Sequence, residues 1–246
     1  RLKGAGRMEE PEVIFDILKN GLKKKQTLTN KKVLVTAGPT FERIDPVRYI
    51  GNFSSGKMGF ALAEAFAGQG ADVTLITGPT NLKVTKSNIK RIDIESTEEM
   101  LESVKQVFPE SDILVMSAAV ADFKPSDIQQ QKIKKEAQQW SLQLVKTPDI
   151  LSELAKQKTS RQVMIGFALE TENEQNNAGQ KLQNKNLDMV VLNSLRDKGA
   201  GFGTDTNKVT LITPKEQMPI EIKPKSEVAQ DIVQYIVNNL TQSKGK

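Results

Sequence analysis

Apolar residues in this chain fall into short continuous runs separated by amphipathic stretches, and that alternation predicts the fold. Val33-Leu34-Val35-Thr36-Ala37 is a continuous apolar run of the kind that fills a strand buried on both faces, Val163–Ala168 reads as a further buried strand, and Asp72–Thr77, the short Arg91–Ile94, Asp112–Met116 and Leu187–Asn193 read as strands. Helical spacing fills the intervals, from Gly59 through Phe66, over Thr97–Val107, from Thr147 to about Lys158 and over Glu170–Asn184. Strand, helix, strand repeated in this way predicts right-handed crossovers and an α/β, Rossmann-like, doubly wound and mostly parallel sheet. Asn207–Ile212 and Pro219–Ile222 predict a C-terminal β-hairpin, Ser226–Leu240 a closing helix, and Thr241–Lys246 a tail.

Two stretches fall outside this rhythm. Before Lys31, a basic linker (Arg1–Arg7), one apolar stripe (Val13, Ile14, Ile17, Leu18) and a polar joint (Lys23–Lys32) predict that residues 1–30 are linker and appendage, and that 31–246 form one domain. Ser126–Val145 is polar and carries Lys132-Ile133-Lys134-Lys135. It returns through Trp140-Ser141-Leu142-Gln143-Leu144-Val145, whose alternation predicts a hairpin arm over the sheet edge. That arm reads either as a lysine-bearing flap that brings charge onto a bound phosphate or as a solvated loop.

Candidate chemistry gathers at the carboxyl ends of the strands, where open parallel sheets bind ligands. Gly51-Asn52-Phe53-Ser54-Ser55-Gly56-Lys57-Met58-Gly59 leads into a helix, with Ser54 and Ser55 as candidate caps and a positive helix end suited to an anion. The spacing mimics a phosphate loop, but Met58 replaces the magnesium-binding hydroxyl, which excludes a standard NTPase loop. Arg48 is a ligand contact or a solvated charge. Ser117-Ala118-Ala119-Val120-Ala121-Asp122 leaves room for a ligand and ends in an acid that reads as a hydroxyl or magnesium ligand, or as a turn acid. Thr147 and Pro148 predict a helix start whose amides read an anion or a base edge, or simply open a normal helix. Phe167 is a base-stacking ring or a core residue. Lys181 and Lys185, four apart on a helix, repel one another unless an anion lies between them.

Composition narrows the classes. Among 246 residues there is no cysteine and no histidine, which removes thiol nucleophiles, disulfides, Ser-His-Asp hydrolysis and histidine zinc sites. The net charge of +5 is dispersed, and 5% aromatics poorly supply a base-stacking platform, so nucleic acid is not an expected partner. No apolar run approaches a membrane span, and a start at Arg1 reads as a soluble fragment. A nicotinamide reductase is disfavoured, because Thr77-Gly78-Pro79 offers no ribose-binding acid and neither Tyr49 nor Tyr235 has the Tyr-x-x-x-Lys spacing. A non-catalytic nucleotide sensor and an enzyme using a nucleoside triphosphate on lysines and amides remain.

The ordered set Gly51–Gly59, Ala118–Asp122, Lys132–Lys135, Lys146-Thr147-Pro148-Asp149-Ile150, Gly166–Thr171 and Lys185–Asp188 resembles bacterial phosphopantothenate–cysteine ligases, the synthetases of coenzyme A biosynthesis, from about Lys31 to Leu240. The resemblance implies a cytoplasmic, CTP- and magnesium-dependent ligation of 4'-phosphopantothenate with L-cysteine through an acyl cytidylate. It implies a homodimer in which the partner subunit contributes to the site. Arg7–Pro11 resembles the end of the flavin-dependent decarboxylase to which such synthetases are fused, and FMN would belong to that part alone. By the same resemblance Asn52 and Lys132 are catalytic. The nucleotide falls to Ser117, Ala118, Asp122, Lys132, Pro148, Asp149, Ile150, Leu151, Phe167, Lys181 and Lys185, and the acyl intermediate to Asn52, Ala118 and Ala119. Metal ligands are left open.

Overall fold

The computed structural model describes residues 10–14, 26–134, 139–170, 172–194, 201 and 203–241. The predicted linker over residues 1–7, most of the stripe from Val13 to Leu18, Lys135 and Thr171 of the quoted motifs, and residues 242–246 of the predicted tail lie outside them. The strands are β1 (Lys32–Ala37), β2 (Phe41–Arg43), β3 (Tyr49–Gly51), β4 (Asp72–Thr77), β5 (Ile89–Asp93), β6 (Ile113–Met116), β7 (Phe123–Pro125), β8 (Leu144–Lys146), β9 (Val163–Glu170), β10 (Met189–Ser194), β11 (Thr206–Ile212) and β12 (Gln217–Pro224). The helices are α1 (Lys57–Gly68), α2 (Thr97–Val107), α3 (Ile150–Ala155), α4 (Glu174–Asn184) and α5 (Lys225–Tyr235), the last running into a π-turn at Ile236–Thr241. None among the described residues is long and apolar enough to cross a membrane.

Eight strands form one sheet in the order β12-β11-β10-β9-β6-β1-β4-β5. The six from β10 to β5 are parallel, and β11 and β12 add an antiparallel hairpin at one edge. This is the doubly wound, Rossmann-like arrangement that the alternation predicts. The period-two alternation of strands sorts their side chains: Val33, Val35 and Ala37 face a core built with α1 and α5, whereas Leu34 faces one built with α2, α3 and α4. Leu28, 1% exposed, joins the first core, so packing begins slightly before Lys31.

Local geometry departs from expectation at two helix starts. α1 is preceded by Gly56 at φ 79°, with no side-chain cap, and Ser54 Oγ accepts from the Gly56 N–H at 3.3 Å instead of capping the helix. A left-handed residue there requires glycine. α3 starts from Asp149, whose carboxylate accepts from Ser152 N–H at 3.0 Å. Thr147 is drawn away because its hydroxyl donates to Ala121 O at 2.6 Å and its N–H to Asp122 O at 3.0 Å. The β2–β3 hairpin, pinned by stacked Phe41 and Tyr49 rings 3.8 Å apart, was not anticipated by periodicity.

α1 lies hard against β1 at Gly59, where an added Cβ would stand 2.5 Å from Ala37 Cβ and 3.0 Å from Thr36 O. Gly59→Ala is therefore expected to destabilise the domain by roughly 1–3 kcal/mol, overpacking outweighing the better helix propensity of alanine. Urea unfolding checks this, and a variant as stable as the native chain would show that α1 can shift freely.

Candidate active site

The chain leaves β1 for one face of the sheet and β6 for the other, so a crevice opens where their carboxyl ends part. A cleft of about 820 Å³ lies there, lined by the segments after β3, β6 and β8 and by α3, the end of β9 and α4. Its wall is tied down by backbone bonds: Ala119 N–H donates to Gly38 O at 2.9 Å, and Thr40 N–H donates to Ala119 O at 3.3 Å. Two buried threonines back the same wall, Thr36 Oγ1 accepting from Ala118 N–H at 3.2 Å and Thr40 Oγ1 from Ala121 N–H at 2.9 Å. Asn52 Nδ2 donates to Ala119 O at 2.9 Å, so its amide is held at the rim while one N–H and its oxygen remain for a ligand.

Opposite that wall stand Lys181 of α4 and Lys185 at its C-terminal cap. Lys181 Nζ donates to Phe167 O at 2.6 Å. Burial pushes the Lys181 ammonium below the usual lysine range, and the nearby Glu170, Asp149 and Asp122 carboxylates only partly oppose this. Lys185 pairs with Asp149 and donates to Ser152 Oγ at 2.6 Å, tying α4 to α3. Desolvation works against the Asp149 charge, but Lys185 and the Ser152 N–H outweigh it and hold the carboxyl below its ordinary value. Asp122 is exposed in the cleft.

Most residues singled out from the sequence converge here. Asn52, Ala118, Ala119, Asp122, Pro148, Asp149, Ile150, Leu151, Lys181 and Lys185 all line the cleft. Ser117 and Phe167 line a smaller adjoining cavity of about 120 Å³ beside the glycine turn, which shares Ala118, Ala119 and Leu169 with the cleft. Phe167 thus meets the cleft through its carbonyl while its ring lies on the α1 side of the sheet. Lys132 is exposed and lines neither cavity. Its neighbour Ile133 is bonded to Asp45 and Arg48 of the β2–β3 turn. Asp45, with Glu170 and Asn177 in the cleft, was not picked out as a site residue by motif reading, whereas Arg48, weighed as a ligand contact or a solvated charge, is instead the ion-pair partner of Asp45. Among the described residues no three His, Cys, Asp or Glu side chains group as a metal cage.

Residues 28–240 match the family described as the DNA/pantothenate metabolism flavoprotein C-terminal domain. A protein from an unknown prokaryote named cysteine/cysteine sulfinic acid decarboxylase is 47% identical over 241 residues, 96% of this chain and 67% of its own length. The coenzyme A biosynthesis bifunctional protein CoaBC of Haemophilus influenzae is 45% identical over 234 residues, and the chain, 95% of which is matched, spans 58% of that relative. The crystal structure of the C-terminal domain of a coenzyme A biosynthesis bifunctional protein CoaBC has a TM-score of 0.75 at 37% identity, covering 88% of this chain and 99% of that one. The chain belongs to the family of DNA/pantothenate metabolism flavoprotein C-terminal domains.

Proposed function

We propose that this chain is a phosphopantothenate–cysteine ligase, joining 4'-phosphopantothenate to L-cysteine at the expense of CTP in coenzyme A biosynthesis, in the cytoplasm. The observation that carries the reading is the convergence of Asn52, the Ala118-Ala119 wall and the Lys181–Lys185 pair on one cleft at the switch point of a CoaBC-like sheet. The remaining length of the bifunctional relatives is where a fused decarboxylase and its FMN belong. The decarboxylase name of the other relative favours no second reading here, because the cleft's lysines, amides and small walls suit a polyanion and an acyl group.

In the first step the substrate carboxylate attacks the α-phosphorus of CTP. An oxygen–phosphorus bond forms, the bond to the β-phosphate breaks, and pyrophosphate leaves. In the second, the cysteine amine attacks the acyl carbon, CMP departs with the carboxyl oxygen and a proton is lost. Lys181 and Lys185 hold the triphosphate, and the Pro148–Leu151 segment meets the cytosine, with Phe167 contributing its backbone and not its ring. Ser117 and Ala118 border the nucleotide, and Asp122 meets its sugar or its magnesium. With no three-acid cage among the described residues, magnesium would arrive on the phosphates and lean on one carboxylate. Asn52 offers an amide N–H to the oxyanion at the acyl carbon, beside Ala118 and Ala119, and Lys132 neutralises charge growing at phosphorus.

Lys132 stands away from its own cleft, and a homodimer supplies what is missing. Val13 and Ile222 apart, the large apolar side chains left exposed among the described residues lie at 47–53 and 123–145, on the two small hairpins and their connections, with Phe53 92% exposed. A second copy covering this face would bring the partner subunit's Lys132 to the cleft.

Asn52→Asp is expected to release pyrophosphate and stall at the acyl nucleotide, whereas Lys132→Ala fails before pyrophosphate. Release from CTP and magnesium, with and without 4'-phosphopantothenate, is the measurement, and substrate-independent behaviour would sink the ligase reading. Mixing the two inactive variants should restore roughly a quarter of native ligation, since half the dimers then carry one intact site of two. No recovery would place Lys132 in its own chain's site. A triphosphate at Lys181 restores its proton affinity, so binding takes up a proton above the free-state pKa and weakens as pH rises through that lowered value. Calorimetry of CTP across pH should show this slope, and Lys181→Met should flatten it.

A further inference from the structure

The β2–β3 hairpin is a small peripheral ribbon, yet the Asp45 carboxylate at its turn is only 2% exposed. Oδ1 accepts from the N–H groups of Val47 and Arg48, both at 2.8 Å. Oδ2 accepts from Arg48 Nε at 3.0 Å, from Arg48 Nη2, and from the N–H of Ile133 at 3.2 Å. Arg48 Nη2 also donates to Ile133 O at 3.1 Å, and its guanidinium lies 5.4 Å over the Trp140 ring. Both backbone polar groups of Ile133 are therefore held by the two members of one ion pair. Gln129 N–H, donating to Ile44 O at 3.0 Å, fixes the same segment four residues earlier. Arg48 and the three N–H groups hold the Asp45 carboxyl well below the usual carboxylate range, against the cost of burial.

Fixing the N–H and the C=O of one residue fixes the planes of the peptides on both sides of it, and the preceding peptide belongs to Lys132. With Asp45 buried and the Arg48 side chain still 37% exposed, the pair is only half-buried, and the best-attested use of an ion pair drawn inside a protein is to specify geometry. We propose that Asp45 is a positioning residue of the ligation: with Arg48 it clips Ile133 to the β2–β3 turn and so sets where the Lys132 ammonium stands. The proposal rests on the reading of Lys132 given above. It assigns Asp45 no contact with substrate.

The test joins a readout of the clip to a readout of its consequence. Amide hydrogen exchange at Ile133 is expected to quicken at least about tenfold in Asp45→Asn, since its acceptor loses charge and the Arg48 fork. Pyrophosphate release from CTP and 4'-phosphopantothenate is expected to lose about tenfold in kcat, with KM for CTP held within about twofold, the signature of a misplaced group rather than lost binding. Added to Lys132→Ala, the same substitution should take nothing further from that variant's residual release, followed over long incubation at high enzyme concentration. An Ile133 amide that exchanges at the native rate, a native kcat, or an equal loss in the Lys132→Ala background overturns the proposal and leaves the Lys132 reading standing. Native release by Lys132→Ala alone overturns that reading, and the proposal with it. Should Asp45→Asn fail to fold, Arg48→Lys, which keeps the cation and loses the fork, is expected to give the same pattern more mildly, and the same outcomes decide.

Discussion

The site depends on how the backbone is satisfied where β1 and β6 end. Two parallel neighbours whose connections leave in opposite directions open a crevice, and the chain bordering it carries polar groups with no strand partner. Here the segment after β6 folds back on the segment after β1. Ala119 bridges Gly38 and Thr40, and the hydroxyls of Thr36 and Thr40 take the N–H groups of Ala118 and Ala121. Thr40 is itself bonded to Thr97 at 3.0 Å, and Thr97 donates to the buried Glu42 carboxylate at 2.6 Å, so the lashing reaches α2 and the β2–β3 hairpin. Small side chains on this wall follow from the same constraint, since the second layer is already filled by threonines. What remains on the cleft surface is alanine and one tethered asparagine amide.

The opposite wall shows how a sheet irregularity organises charge. β6 stops at Met116, opposite Gly166, while β9 runs on to Glu170. Past that point β9 has its β10 partner on one side alone, and the Phe167 carbonyl takes a lysine in place of a strand. Lys181 is thereby held in a partly desolvated position where its charge is costly without an anion, and Lys185 is braced by Asp149 and Ser152 a turn further along α4. Two like charges kept apart by separate anchors cost less than two that share one face unaided. They would also need little rearrangement on binding the proposed triphosphate, which is what makes fixed charges effective in a water-poor site.

The sheet was legible because buried parallel strands declare themselves as unbroken apolar runs and the helices between them by their spacing. Val33–Ala37 and Val163–Ala168 are unambiguous on that ground. Strands of three residues carry no such period, which is why β2 and β3 escaped notice although the Phe41–Tyr49 stack holds them. Most of the cleft was legible through ordered motifs, since the residues that line it sit at strand ends and helix starts. The ring of Phe167 shows what motif reading overlooks. It shares parity with Val163 and Ile165, so strand alternation alone puts it on the α1 face, opposite Ala168. The helix start at Asp149 was misplaced for a different reason: Thr147 has the right chemistry for a cap, but tertiary bonds to Ala121 and Asp122 claim it first.

The two small hairpins invert the usual distribution of polarity. Within nine residues Asp45 is almost wholly buried and Phe53 almost wholly exposed, and Trp140, Leu144 and Val145 stand out from the arm that Ile133 anchors. A carboxylate is drawn inside only where donors repay its lost hydration, and here the donors are an arginine and backbone groups from two segments 88 positions apart. Apolar rings left outside gain nothing from water, and among the described residues the exposed ones lie on one pair of touching hairpins, the surface that the proposed second copy would cover. The buried charge and the bare rings then serve one end. In the proposed dimer, apolar cover would bring the lysine segment of one copy toward the cleft of another, and the ion pair beneath would give that segment a defined shape on arrival. A hairpin held by apolar packing alone would dock with comparable affinity but would leave the lysine's direction unspecified.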